Sequence, residues 1–108
     1  MIDHTTQLHH PDKNAIQLPA VMHALSDPTR LEMVRRLAED TSPRPCGTFG
    51  FDLAKSTLTH HFRILREAGV IEQRKEGTSK LTWLRREDLD ERFPGLLDAV
   101  LSATPAPA

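Results

Sequence analysis

Cysteine is nearly missing from the 108 residues: Cys46 stands alone. That excludes an intrachain disulfide and any metal site built from several thiolates of one chain, and it fits a reducing, cytoplasmic setting. Long apolar stretches are missing too, since no run exceeds three residues. Neither a signal-peptide core nor a membrane span can be made from such a pattern, so the sequence reads as soluble and cytoplasmic with no membrane partner. The chain also lacks a Gly-rich phosphate loop, a nucleophile elbow and a His-Glu-x-x-His pattern, and its His and carboxylate residues fall on separate segments. No enzyme is expected.

What is present fits one small domain. A length of 108 residues with 38% hydrophobic and 27% charged side chains supports a single modest core, in the size range where a partner subunit often helps. Fourteen Lys and Arg against fifteen Asp and Glu give a net charge of -1, which hides a strong asymmetry. Residues 1–54 sum to -2, residues 55–86 to +5 (8 basic, 3 acidic) and residues 87–108 to -4. A basic island between acidic flanks is the local footprint of a polyanion-binding surface.

Periodicity sets the elements. Residues 1–14 are polar and read as a flexible arm; residues 15–102 form the domain, and 103–108, alternating Pro and Ala, a disordered tail. Ile16, Leu18, Val21, Met22 and Leu25 recur at helical spacing over Ala15 to Leu25, with Pro19 in the first turn. Asp27 followed by Pro28 is a helix start, and the helix runs to about Glu39 with Leu31, Val34, Leu37 and Ala38 inward. Asp40 to Gly50, rich in Pro and Gly, reads as a loop or a single turn. A third helix spans about Ser56 to Ala68, capped by Asp52 or Ser56, and stops at Gly69. Leu58, Phe62, Leu65 and Ala68 face inward. Val70 to Glu76 and Lys80 to Arg85 make a hairpin joined by Gly77-Thr78-Ser79. Glu87 to Ser102 is helical, broken at Pro94-Gly95.

The order is helix, helix, irregular segment, basic helix, basic hairpin, helix. It predicts a mainly α fold with a small β-hairpin, a winged helix-turn-helix. On the basic helix, the inward stripe leaves Lys55, Ser56, Thr57, Thr59, His60 and Arg63 outside: short hydrogen-bonding groups near the N-terminus and a cation beyond. That suits base edges in a major groove, with the positive helix end toward phosphate. Arg74, Lys75 and Lys80 around Gly77 suit phosphate or minor-groove contacts.

These residues are similar to the ArsR (SmtB/ArsR) transcriptional repressors. The resemblance is carried by Ala24-Leu25-Ser26-Asp27-Pro28-Thr29-Arg30-Leu31, by the run from Ser56 through His60-His61-Phe62 to Gly69-Val70-Ile71, and by Arg74-Lys75-Glu76-Gly77. It covers about residues 15–102. It implies a homodimer on an imperfect operator palindrome in double-stranded DNA, repressing transcription until an inducer weakens binding. Lys55, Ser56, Thr57, Thr59 and His60 match the family's base readers, while Arg63, Arg74, Lys75 and Lys80 hold the backbone. The first and last helices build the dimer, implying an interface from Ile16, Val21, Leu89, Phe93, Leu96, Leu97, Val100 and Leu101. Two departures stand out. Pro43 to Phe51 replaces the usual apolar first helix of the turn motif with a short or distorted element. The family's Cys-x-Cys and paired Asp/His and His/Glu metal sites are absent, and Glu87 to Ser102 contains no His.

Several residues carry competing readings. Arg30, near Asp27, is expected to be a structural ion-pair partner rather than a DNA contact. His60 and His61 point roughly 100° apart on a helix and cannot easily share one ion. Asp3, His4, His9 and His10, with His23 completing the set, could take Ni or Zn as an effector without thiolate; incidental surface histidines are the alternative. Cys46 reads as a small loop residue, and the acids of the last helix as its wet face. An accessory protein is another candidate effector of the regulator; a rival for the whole chain is a winged-helix protein-interaction module that does not itself bind DNA.

Overall fold

Asp27 opens the second helix by local chemistry alone. Its Oδ2 accepts the backbone N–H groups of Thr29 (2.8 Å) and Arg30 (3.1 Å), covering donors that a helix start leaves unpaired. Burial pushes the Asp27 carboxyl up, but the Arg30 and Thr29 N–H groups, with the Arg30 charge, hold it below its ordinary value. In the computed structural model, which describes residues 9–39, 44–45 and 51–103, the elements are α1 (Leu18–Ala24), α2 (Pro28–Glu39), β1 (Arg44–Pro45), α3 (Lys55–Glu67), β2 (Ile71–Glu76), β3 (Ser79–Leu84), α4 (Arg86–Arg92) and α5 (Leu96–Ala103). No described helix is long and apolar enough to cross a membrane.

The fold is mainly helical with a wing hairpin, and it differs from the sequence expectation in several places. Arg44–Pro45 is neither loop nor turn but a short strand on the free edge of β3 (Arg44↔Thr82, Pro45↔Leu81), giving the order β1-β3-β2. Proline is tolerated there because an edge strand can spare one donor. Residues 46–50, with Cys46 and most of the segment replacing the first turn-motif helix, lie outside the described residues. The wing closes through two residues, Gly77 and Thr78, rather than three: Glu76 pairs with Ser79 and Lys75 with Lys80. Gly77 has φ +61 and Thr78 does not share the sign, the pattern of a type II′ turn. Neither Asp52 nor Ser56 caps α3; Ala54 occupies the N-cap without a side-chain bond.

Gly69 ends α3 as the sequence predicts, at φ +88. Its N–H donates to Arg66 O (3.0 Å) and the Val70 N–H to Leu65 O (2.9 Å), the paired bonds of a Schellman stop. α3 buries Phe62 and Leu65 against Met33, Val34 and Leu37 of α2. Met33, 0% exposed, replaces the expected Leu31, which is only partly buried. On the sheet's inner face Gln73 and Thr82 are buried beside Ile71; the Gln73 amide N–H donates to Thr82 Oγ1 (3.2 Å), and its Oε1 accepts from Arg66 (2.9 Å). Satisfied in this way, the pair costs little to bury.

The N-terminal arm is not a free segment where it is described. The Gln73 N–H donates to His10 Nε2 (3.0 Å), Arg66 donates to His9 O (3.2 Å), Arg85 to Pro11 O (2.8 Å) and Arg92 to Ile16 O (2.7 Å). Lys13 reaches Glu91 at 2.9 Å, and Lys13–Ala15 form a 3₁₀ turn. Four residues expected in a dimer interface are also reassigned: Ile16 (1% exposed), Val21 (1%), Leu89 (2%) and Leu97 (2%) are filled into the protomer's own core. They have no surface left for a partner. Phe93, Leu96, Val100 and Leu101 stay partly open.

Candidate nucleic-acid interface

The recognition helix is positioned by its buried face. Phe62 and Leu65 are held at 5% and 0% exposure, and Leu58 packs part-way against the same core. With that stripe fixed, Lys55, Ser56, Thr57, Thr59, His60 and Arg63 are all exposed. Ser56, Thr59, His60 and Arg63 recur at the spacing of one helical face, with Lys55 and Thr57 on its shoulders. Short polar groups therefore stand toward the N-terminal end of a 13-residue helix, where the backbone dipole is positive. Arg63, exposed, leans on Glu67 at 3.2 Å; such a surface pair is weak and easily exchanged for a phosphate.

His61 is turned the other way. Its Nδ1 lies 3.1 Å from Arg30 Nη1, and because a guanidinium can only donate, Nδ1 is the acceptor and the ring proton sits on Nε2. Arg30, only 6% exposed, also donates to Ala24 O (2.7 Å) and His23 O (3.3 Å). Ala24 O, at the C-terminal end of α1, takes its donor from Arg30, whereas His23 O also accepts from the Ser26 N–H (3.1 Å) and the Ser26 hydroxyl (2.6 Å). Arg30 is thus structural, as expected, but through α1 and α3 rather than an ion pair with Asp27 alone. It locks the recognition helix to the two helices before it. The His60 and His61 ring centroids are 6.1 Å apart and tilted.

On the wing, Arg74 and Lys75 are exposed and Lys80 partly so. The two-residue turn sets Lys75 directly opposite Lys80. Like charges facing across a strand pair destabilise a hairpin on their own, an arrangement that suits a polyanion between them. Arg74 lies with its guanidinium 5.0 Å over the Trp83 ring, a cation–π contact that orients it. Sequence reasoning missed this pairing, because its three-residue loop shifts the register by one. It also missed Leu53, 39% exposed just before α3, for which position is the sole signal.

The proposed metal ligands are not brought together. His9 and His23 are exposed, His10 is occupied by the Gln73 N–H, and Asp3 and His4 lie outside the described residues. Among the described residues there is no group of three His, Cys, Asp or Glu placed to hold an ion.

Comparison with known proteins agrees with this geometry. Residues 25–74 match a family model described as a helix-turn-helix domain. The uncharacterised HTH-type transcriptional regulator YceK of Bacillus subtilis is 34% identical over 82 residues, covering 74% of this chain and 82% of that protein. MJ1325 of Methanocaldococcus jannaschii, of the same description, is 42% identical over 82 residues, covering 74% and 86%. A crystal structure of an ArsR family transcriptional regulator superposes with a TM-score of 0.63 at 25% identity, over 76% of this chain and 90% of that one. It follows that this chain belongs to the ArsR family of winged helix-turn-helix, DNA-binding transcriptional regulators.

Proposed function

We propose that the chain acts as a homodimeric repressor on an operator palindrome. In this reading Lys55, Ser56, Thr57, Thr59 and His60 read bases, and Arg63, Arg74, Lys75 and Lys80 clamp the backbone. The observation that carries the reading is the uncovered polar face of α3 beside the opposed Lys75 and Lys80. Arg74→Ala and Lys75→Ala should weaken binding to all duplexes alike, whereas Thr59→Ala and His60→Ala should narrow the gap between operator and random DNA. Fluorescence anisotropy on both duplexes separates the roles, and equal losses for all four variants would contradict them.

Dimerisation is supported by apolar surface that the protomer leaves open. Leu18 (40% exposed) and Met22 (57%) lie on α1, and Phe93, Leu96, Val100 and Leu101 are partly buried at the other end of the chain. Leu18 and Met22 replace Ile16 and Val21 in the proposed interface. Sedimentation of a Met22→Glu variant checks it: a dimer of unchanged strength would remove α1 from the interface. A Ni or Zn response through Asp3, His4, His9, His10 and His23 is a separate proposal. Any ion using His10 Nε2 must first displace the Gln73 N–H, so metal and arm docking would compete. Calorimetric titration of Ni and Zn into wild type and a His9→Ala/His10→Ala variant tests it, and unchanged binding in the variant would dismiss the arm as a metal site.

A further inference from the structure

Between the C-terminal half of α2, the sheet and the first turn of α4 lies a cavity of about 490 Å3, within the range of small-ligand sites. It is lined by Leu37 and Leu84, which belong to the core side, and by Trp83, Glu72, Arg85 and Glu87, with Trp83 and Glu72 on the sheet face opposite Leu84. Its cations are already committed. Arg85 holds Asp88 through Nε (3.1 Å) and Nη2 (2.9 Å) and gives Nη1 to Pro11 O; Arg86 pairs with Asp90 at 3.3 Å and with Asp98. Glu72 and Glu87 form no ion pair with a described residue. The unbalanced charge of the cavity is therefore negative, which disfavours an anion. Its apolar and aromatic walls disfavour a hydrated metal ion, and no three-ligand metal group exists among the described residues. The indole already serves as a platform for positive charge, with the Arg74 guanidinium 5.0 Å over the ring.

We propose that this cavity binds an organic cation, an amine or quaternary ammonium with an apolar body. The Trp83 indole faces the cationic centre, and Glu72 and Glu87 supply the counter-charge. Glu72 and Trp83 are cross-strand partners, so aromatic wall and counter-charge come from one rung of the wing. The ligand and Arg74 then draw on the same indole. Occupancy of the cavity is coupled to a wing cation, and this coupling, unlike the binding itself, rests on the DNA-binding reading above.

Trp83 is the only tryptophan and tyrosine is absent, so intrinsic emission reports on this wall alone. Benzyltrimethylammonium should produce a saturable change in Trp83 emission, with benzyl alcohol binding at least about tenfold more weakly. A Glu72→Gln/Glu87→Gln variant should lose about tenfold in affinity for the cation, and Glu87→Gln, at an exposed position, about threefold with an unaltered circular dichroism spectrum. Absence of a saturable response, equal affinity for the neutral alcohol, or unchanged affinity in Glu87→Gln would overturn the site. A cation concentration near the wild-type Kd should shift operator affinity in wild type and far less in the double variant; an unshifted wild-type affinity would overturn the coupling. Cation binding by a protein that ignores DNA would sink the DNA reading while leaving the cavity standing.

Discussion

Gly69 joins the recognition helix to the wing, and replacing it by alanine tests whether that junction is as tight as the structure describes. The position has φ +88, and an added Cβ would lie 2.6 Å from Ile16 Cγ1, 2.9 Å from Cδ1 and 3.3 Å from Cγ2. A left-handed conformation costs an L-residue roughly 1–2 kcal/mol, and forcing one more carbon into a filled core roughly 1–3 kcal/mol. Ile16 cannot swing aside cheaply, since it is 1% exposed and β-branched. Gly69→Ala should therefore destabilise the protein by about 2–5 kcal/mol in urea unfolding at fixed protein concentration, with little change in m-value. A double-mutant cycle separates the causes. Ile16→Ala removes all three crowding atoms, so Gly69→Ala/Ile16→Ala should be less destabilised than the sum of the single changes by about 1–3 kcal/mol. A Gly69→Ala cost below about 0.5 kcal/mol, or strict additivity with Ile16→Ala, would refute the reasoning.

Other perturbations follow from the same contacts. Hydrogen bonding to Arg35, backed by Arg36, holds the Glu32 carboxyl at about 2 instead of 4.5, against burial. Its contribution, about 2 kcal/mol after allowing for solvent screening, is present above pH 4.5 and lost as pH falls toward 2. Glu32→Gln should thus cost stability at pH 7 and much less near pH 2 in denaturant titrations; a pH-independent difference would dismiss the pairing. Arg30→Met keeps the apolar stem but strips Ala24 O and His61 Nδ1 of their donor, for a loss of about 2–3 kcal/mol, and Arg30→Lys should restore little of it because an ammonium cannot reproduce the fork. Full recovery by lysine would show that charge alone matters. Lys80→Thr relieves the charge facing Lys75 and should raise free-protein stability by a few tenths of a kcal/mol while weakening DNA binding; a drop in both would remove the argument from opposed lysines.

Much of the fold was legible where chemistry is local. Asp27-Pro28 opens α2 because the cap and the fixed φ act within three residues, and Gly69 closes α3 for a similarly local reason. The exposed face of α3 follows from the spacing of Phe62 and Leu65 alone. What escaped was contact between residues distant in sequence. Arg30 meets His61 31 positions away and Gln73 binds His10 63 positions away, so no window of sequence carries either bond. The polar arm looked free because polarity near a terminus usually signals solvent, whereas here its carbonyls at His9 and Pro11 are bound by Arg66 and Arg85. Ile16, Val21, Leu89 and Leu97 read equally well as interface or core, since periodicity shows that a face is buried but not by what. The strand at Arg44–Pro45 was hidden by a composition that favours turns and by dependence on an edge supplied 36 residues later.

The salt dependence of binding to duplex DNA carrying the gene's own promoter tests the central claim most directly. If α3 and the wing engage DNA as described, log affinity should fall linearly with log salt concentration at about -0.9 per phosphate neutralised, with several phosphates engaged by each dimer. Arg74→Ala/Lys75→Ala should make that slope shallower, and promoter DNA should be bound in preference to random duplex throughout. A shallow slope shared by wild type and variant, with no preference for the promoter, would contradict the account and leave the chain a winged-helix module for a protein partner.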